Sequence, residues 1–121
     1  MATLNTKLVL TSTTTSGNAL DLTTTDALTV TQPIVDVAQT SIATGSAQSL
    51  IPSNSAFSYV YISVISGANG TDWLQVKLGG DAKLKIRVGE FAWLPLYNAQ
   101  AITAEAQGGA CVVEYGYWSI A

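Results

Sequence analysis

Residues 73–88 read Trp73-Leu74-Gln75-Val76-Lys77-Leu78-Gly79-Gly80-Asp81-Ala82-Lys83-Leu84-Lys85-Ile86-Arg87-Val88. Leu74, Val76 and Leu78 fall on one parity, and Trp73, Gln75 and Lys77 on the other. Past the glycines, Leu84, Ile86 and Val88 alternate with Lys83, Lys85 and Arg87. Side chains along a strand point alternately to opposite faces, so period two marks a strand with one dry and one wet face. Two such runs parted by Gly-Gly predict a tight antiparallel hairpin. The stretch therefore decides for a sheet protein.

The same reading extends in both directions. Towards the C-terminus, Gly89 ends the strand, and Phe91 to Leu96 forms another whose Pro95 suits an edge or a bend. Ala101 to Gln107 and Ala110 to Ile120 follow, separated by Gly108-Gly109. Towards the N-terminus, Phe57 to Ser66 is aromatic and β-branched, and Asn69-Gly70 predicts a hairpin turn leading into Trp73. Residues 34–42 read as a strand with Val35 and Val37 on one face. Gly45-Ser46 turns into Gln48 to Ile51, which Pro52 ends. Further back, Ala19-Leu20-Asp21-Leu22-Thr23 and Ala27-Leu28-Thr29-Val30-Thr31 match, and they predict two adjacent strands joined at Thr23-Thr24-Thr25-Asp26. A further strand is expected around Lys7 to Ser12. No long window shows helical periodicity. The expected fold is all-β: one β-sandwich or jelly-roll-like domain of about nine to eleven short strands, with an N-terminal strand-rich arm.

The chain has 121 residues, which suits one domain able to bury a core without disulfides. All aromatic residues lie at or after Phe57, and no basic residue lies between Lys7 and Lys77. A seam at Gln32-Pro33 divides a Thr-rich arm, residues 1–32, from a body, residues 33–121. The start MATLNTKLVL does not read as a signal peptide, and no apolar run is long enough to span a membrane. Cys111 stands alone between apolar neighbours, so it reads as a small core residue rather than a reactive thiol.

Composition also bounds the chemistry. There is no histidine, and charged residues make up 11% against 48% hydrophobic. Histidine is the usual proton carrier near neutral pH and the commonest metal ligand. A chain without it is poorly equipped for catalysis, so neither an enzyme nor any cofactor or metal site is expected. The net charge of −3 argues against nucleic acid as a partner. Few charges on a small surface leave apolar area outside, and such area usually ends at another protein. A homo-oligomer, a lattice binder, or both is expected, with no membrane partner.

Four of the five basic residues, Lys77, Lys83, Lys85 and Arg87, fall on the Gly-Gly hairpin. They read either as a contact for an acidic partner surface or as a solvated face whose lysines discourage edge pairing. Asp21, Asp26, Asp36 and Asp72 are scattered and form no calcium loop. Glu90, Glu105 and Glu114 offer a carboxylate pair only by chance, and Glu114 in an apolar strand is expected to pair with a basic residue. Tyr59, Tyr61, Trp73, Trp93, Tyr97, Tyr115, Tyr117 and Trp118 read as core and interface anchors or as an aromatic platform for sugar. In Tyr115-Gly116-Tyr117-Trp118 one face fills the core and the other is left for a neighbour, so Tyr115, Tyr117 and Trp118 join the four cations as candidate partner contacts. Asn69-Gly70-Thr71 matches a glycosylation acceptor but reads as a turn.

Several short blocks carry a resemblance. They are the Thr/Ser-rich start with its repeated Ala-Leu-x-[Leu/Val]-Thr, Tyr59-Val60-Tyr61-Ile62, and Trp73-Leu74-Gln75-Val76-Lys77-Leu78-Gly79-Gly80. To these add Gly89-Glu90-Phe91-Ala92-Trp93-Leu94-Pro95-Leu96 and Val112-Val113-Glu114-Tyr115-Gly116-Tyr117-Trp118. Spread over most of the chain, they resemble small virion proteins of tailed bacteriophages, most similarly those of phages infecting cyanobacteria and other aquatic bacteria. The resemblance implies a virion component made in the host cytoplasm and bound to the major capsid protein or another virion protein. Its leading form is a capsid decoration (cement) protein, commonly a trimer at local threefold positions of the head. The alternative is a tail- or fibre-associated module that binds host-surface carbohydrate. No functional residue carries over, because the family has no active-site signature.

Overall fold

A computed structural model describes residues 2–12, 20–30, 37–52, 59–96 and 101–119. The expectations that fall on Val35, Phe57, Tyr97, Ile120 and the Gln32-Pro33 seam lie outside these residues. The chain is all-β, as its alternation predicts. In order it forms β1 (Ala2–Thr11), β2 (Asp21–Val30), β3 (Ala38–Ile42), β4 (Gln48–Ile51), β5 (Tyr59–Gly67) and β6 (Trp73–Leu78). Then come β7 (Asp81–Arg87), β8 (Phe91–Pro95), β9 (Ile102–Gln107) and β10 (Cys111–Trp118). No described helix is long and apolar enough to cross a membrane.

The body is a sandwich of two antiparallel four-stranded sheets, ordered β3-β10-β5-β8 and β4-β9-β6-β7. The chain changes sheet at every connection from β3 to β10 except the one between β6 and β7. Eight strands wound between two sheets in this order make a jelly roll. Val60, Ile62 and Val64 of β5 and Cys111 and Val113 of β10 face inward from one sheet. They meet Leu74 and Val76 of β6 and Ile102, Ala104 and Ala106 of β9 from the other. Each large side chain buried this way contributes roughly 1.5–3 kcal/mol.

The stretch that opened the reading behaves as predicted. β6 and β7 pair antiparallel, with Leu78 opposite Asp81. Gly79 and Gly80 take φ of 62° and 93°, the left-handed pair that a two-residue hairpin turn requires. Leu74, Val76 and Ile86 are buried, and the lysines face out. Pro95 lies on β8, an edge strand, where its missing N–H breaks no ladder.

Two expectations are corrected. The segments around Leu22 and Leu28 are one continuous strand, β2, paired along its length with β1 from Ala2↔Val30 to Thr11↔Asp21. Thr23-Thr24-Thr25-Asp26 is not a turn: it contains no glycine or proline, and β-branched threonine favours extended backbone. Similarly, Asn69-Gly70 does not close a hairpin. β5 pairs with β10 and β8 while β6 pairs with β7 and β9, so the turn carries the chain from one sheet to the other. Asp72 explains the choice. Its N–H donates to the Asn69 carbonyl at 3.2 Å, and its buried carboxylate accepts the Asn69 N–H at 2.6 Å. The side chain therefore satisfies a donor that a hairpin ladder would have used.

β1 and β2 form a separate two-stranded sheet, and none of their described side chains belongs to the buried cluster between the two larger sheets. Leu4, Thr6, Leu8 and Leu10 share one face of this hairpin with Leu22, Thr24, Asp26, Leu28 and Val30.

Candidate functional site: an aromatic sheet face beneath the N-terminal hairpin

The outer face of the β3-β10-β5-β8 sheet is built by parity. Since Val60, Ile62 and Val64 point inward, Tyr59, Tyr61 and Ser63 point outward. Ala92 packs against the core, which turns Phe91, Trp93 and Pro95 of β8 out beside them. On β10, inward Tyr115 and Tyr117 leave Glu114, Gly116 and Trp118 outside. A row of rings results. Tyr59 and Trp93 stack with centroids 5.4 Å apart and planes 16° apart, and Trp93 meets Trp118 at 5.5 Å with a 44° tilt. Such offset pairs contribute about 0.5–1.5 kcal/mol beyond their buried area. Gly116 makes room for the last ring, since a Cβ there would stand 2.8 Å from it.

Polar groups are fixed around the row. Glu114 accepts hydrogen bonds from Tyr61 Oη and Gln39 Nε2, both at 3.3 Å. Its partners are a phenol and an amide, where the sequence suggested a cation. The hairpin face bearing Thr6, Thr24, Asp26 and Leu28 lies opposite Tyr59, Tyr61, Phe91 and Trp93, and the two enclose a cavity of about 610 Å³. Pockets of roughly 300–1,000 Å³ are the usual size for small-ligand sites.

The sequence-predicted partner residues are distributed differently. Lys77, Lys83, Lys85 and Arg87 lie on the other sheet, three of them on its edge strand β7. Lys77 pairs with Glu105 at 4.0 Å, Arg87 with Glu90 at 3.5 Å, and Lys85 sits 4.4 Å over the Trp73 ring. The exposed Arg87–Glu90 pair contributes about 0–1 kcal/mol. Lys83 makes no ion pair among the described residues. Edge-strand lysines of this arrangement oppose sheet-to-sheet pairing. Tyr115 packs on the core, Tyr117 lies within it, and Trp118 is only 8% exposed beside Trp93. Of the aromatics suggested as a sugar platform, Tyr59, Tyr61, Trp93 and Trp118 come together, while Trp73 lies on the far sheet. Phe91, 62% exposed, joins them. It reads in the sequence as one more alternating strand residue, and the threonines and Asp26 opposite it have no spacing signal at all.

The remaining titratable groups do not converge. Glu105 and Glu114 sit on outer faces of opposite sheets, and Glu90 closes the β7–β8 turn, accepting the Arg87 N–H at 2.7 Å. Among the described residues no three His, Cys, Asp or Glu side chains are placed to hold a metal ion. Cys111 is buried, and its Sγ–H donates to the Gly109 carbonyl at 3.7 Å. Burial first, and then the nearby Asp72 charge, push its thiol up from the ordinary value. The native protein is therefore expected to resist iodoacetamide at pH 8, with full labelling only in denaturant; native labelling at the rate of a free thiol would contradict this. Because the folded thiol holds its proton to higher pH than the unfolded one, the stability it contributes at neutral pH falls as pH rises through the thiol range.

Comparison of the chain with protein-family models, with curated protein sequences and with solved structures finds no match.

Proposed function

We propose that the chain is a virion structural protein of a tailed bacteriophage, a decoration protein that binds and stabilises the head lattice. The observation that carries this reading is the β1–β2 hairpin. Among the described residues its strands pair only with each other, and neither long edge pairs with another described strand. Val9, Leu10, Leu20 and Leu22, in the half of the hairpin away from Val30, are 42–52% exposed. A lone two-stranded hairpin is marginal in water, and a cluster of exposed apolar side chains marks a surface meant for a protein partner. The arm lies along neighbouring capsid subunits while the jelly-roll body provides a rigid base. Assembly as a trimer supplies the affinity: three linked weak contacts on a repeating lattice bind far more tightly than one. The phage resemblance supports the choice of lattice.

Quantitative mass spectrometry of purified particles tests the reading. Hundreds of copies per particle are expected. A handful would move the chain to the tail, and absence from the particle would overturn the proposal.

A further inference from the structure

We infer that the cavity between the β1–β2 hairpin and the β5–β8 sheet face is a saccharide-binding cleft. The inference does not depend on where the chain sits in a particle. Its two walls differ in chemistry. The sheet wall presents Tyr59, Trp93 and the largely exposed Phe91, with the first two held rigid by their stack. The hairpin wall sets Thr6, Thr24 and Asp26 beside Leu8, Leu28 and Lys7. Asp26 stands opposite Thr6 in the register, and the Thr6 hydroxyl donates to its carbonyl at 3.4 Å. A sugar ring has the same division, an apolar C–H face and a rim of hydroxyls. Ring faces accept the first and carboxylate and hydroxyl oxygens the second. A purely apolar ligand would leave Asp26 and the threonines unmatched on entry, a desolvation cost that a hydroxyl-rich ligand avoids. Asp26 and Lys7 both line the cleft and offset each other, and with the net charge of −3 this favours a neutral saccharide over an anionic one.

The test uses the full-length protein on an array that carries free hexose and N-acetylhexosamine oligosaccharides beside bacterial surface polysaccharides. The strongest hit is then titrated by tryptophan fluorescence. Binding to either arm of the array supports the cleft, and the arm that responds identifies the source. Phe91→Ala and Asp26→Asn, both at exposed positions, should each weaken binding about tenfold, equivalent to about 1.4 kcal/mol. Trp93→Ala should abolish it. Thermal unfolding of the two exposed-site variants should match wild type, so loss of binding cannot be loss of fold. Saturable binding that neither Phe91→Ala nor Asp26→Asn alters would overturn the proposal, as would a folded protein that takes up an apolar dye but no saccharide.

Discussion

Gly108→Ala is expected to destabilise the fold by about 3 kcal/mol, with most of that cost vanishing when Asp72 is replaced as well. Two terms add. Gly108 has φ of 90°, where an L side chain is strained by about 1 kcal/mol or more. The new Cβ would also stand 2.7 Å from Asp72 Oδ1, and overpacking of this kind costs about 1–3 kcal/mol. The site cannot relax easily. Asp72 is 1% exposed, its other oxygen holds the Asn69 N–H, and a Cβ on Gly109 would meet that oxygen at 2.6 Å. Two sheet-crossing turns, β5 to β6 and β9 to β10, thus close around one carboxylate, and Ala68 N–H donates to the Ala110 carbonyl between them at 3.0 Å. Asp72→Ala alone should cost about 2 kcal/mol, the usual scale for removing a charged acceptor from a buried donor. Against a total stability of roughly 5–15 kcal/mol these are large fractions. Urea unfolding of the two single variants and the double variant measures the coupling. In the Asp72→Ala background Gly108→Ala should cost only the backbone strain. Equal costs in both backgrounds would show that the carboxylate does not clamp these turns.

This clamp also shows why part of the fold is legible in the sequence and part is not. Lys83 to Val88 alternate without interruption, so β6, β7 and their turn read directly, while the register shift between Val76 and Lys77 that sets Val76 opposite Leu84 is not written in the alternation. Asn69-Gly70 carries an equally strong local signal, yet local chemistry specifies a turn and not which sheet the next strand joins. That choice rests on Asp72 reaching back to Asn69 beneath Gly108 and Gly109, a contact between segments far apart in the chain. The candidate cleft is legible in the same partial way. Tyr59, Tyr61 and Trp93 are visible as bulky strand residues, and alternation puts Tyr59 and Tyr61 on one face, but that β8 pairs with β5 and brings Trp93 beside them is not visible. Their opposite wall is not visible. Thr6, Thr24 and Asp26 have no motif, and they come together because β1 and β2 run in register as one hairpin where the repeated Ala-Leu pattern suggested shorter strands.

Deletion of residues 1–31 is expected to reduce particle binding about 100-fold or more while the remaining chain still folds. The folding half of this expectation follows from the core. Its buried cluster is drawn from β3 to β10, and each of the two four-stranded sheets is complete without the arm. Val30 is buried but lies outside that cluster, so the truncated body should unfold within a few degrees of wild type, about 1 kcal/mol on the scale for a domain of this size. The binding half follows from the exposed leucines. If Leu10 and Leu22, beyond the part of the hairpin that lines the cleft, insert between capsid subunits, each copy loses its apolar anchor with the arm. In the proposed trimer that loss is multiplied, because linked contacts fail together and avidity of about 10²–10⁴ disappears with them. Co-sedimentation of the truncated protein with particles stripped of the native one measures the first effect, and calorimetry of the same sample measures the second. Replacing Leu10 and Leu22 by threonine keeps the strand propensity and removes the apolar anchor, so it should reproduce the binding loss with the hairpin intact. Wild-type binding by the truncated body would mean that the lattice is gripped by the jelly roll itself, and the outer face of the β4-β9-β6-β7 sheet, with Lys83 and Lys85 on its edge strand, would become the surface to mutate next.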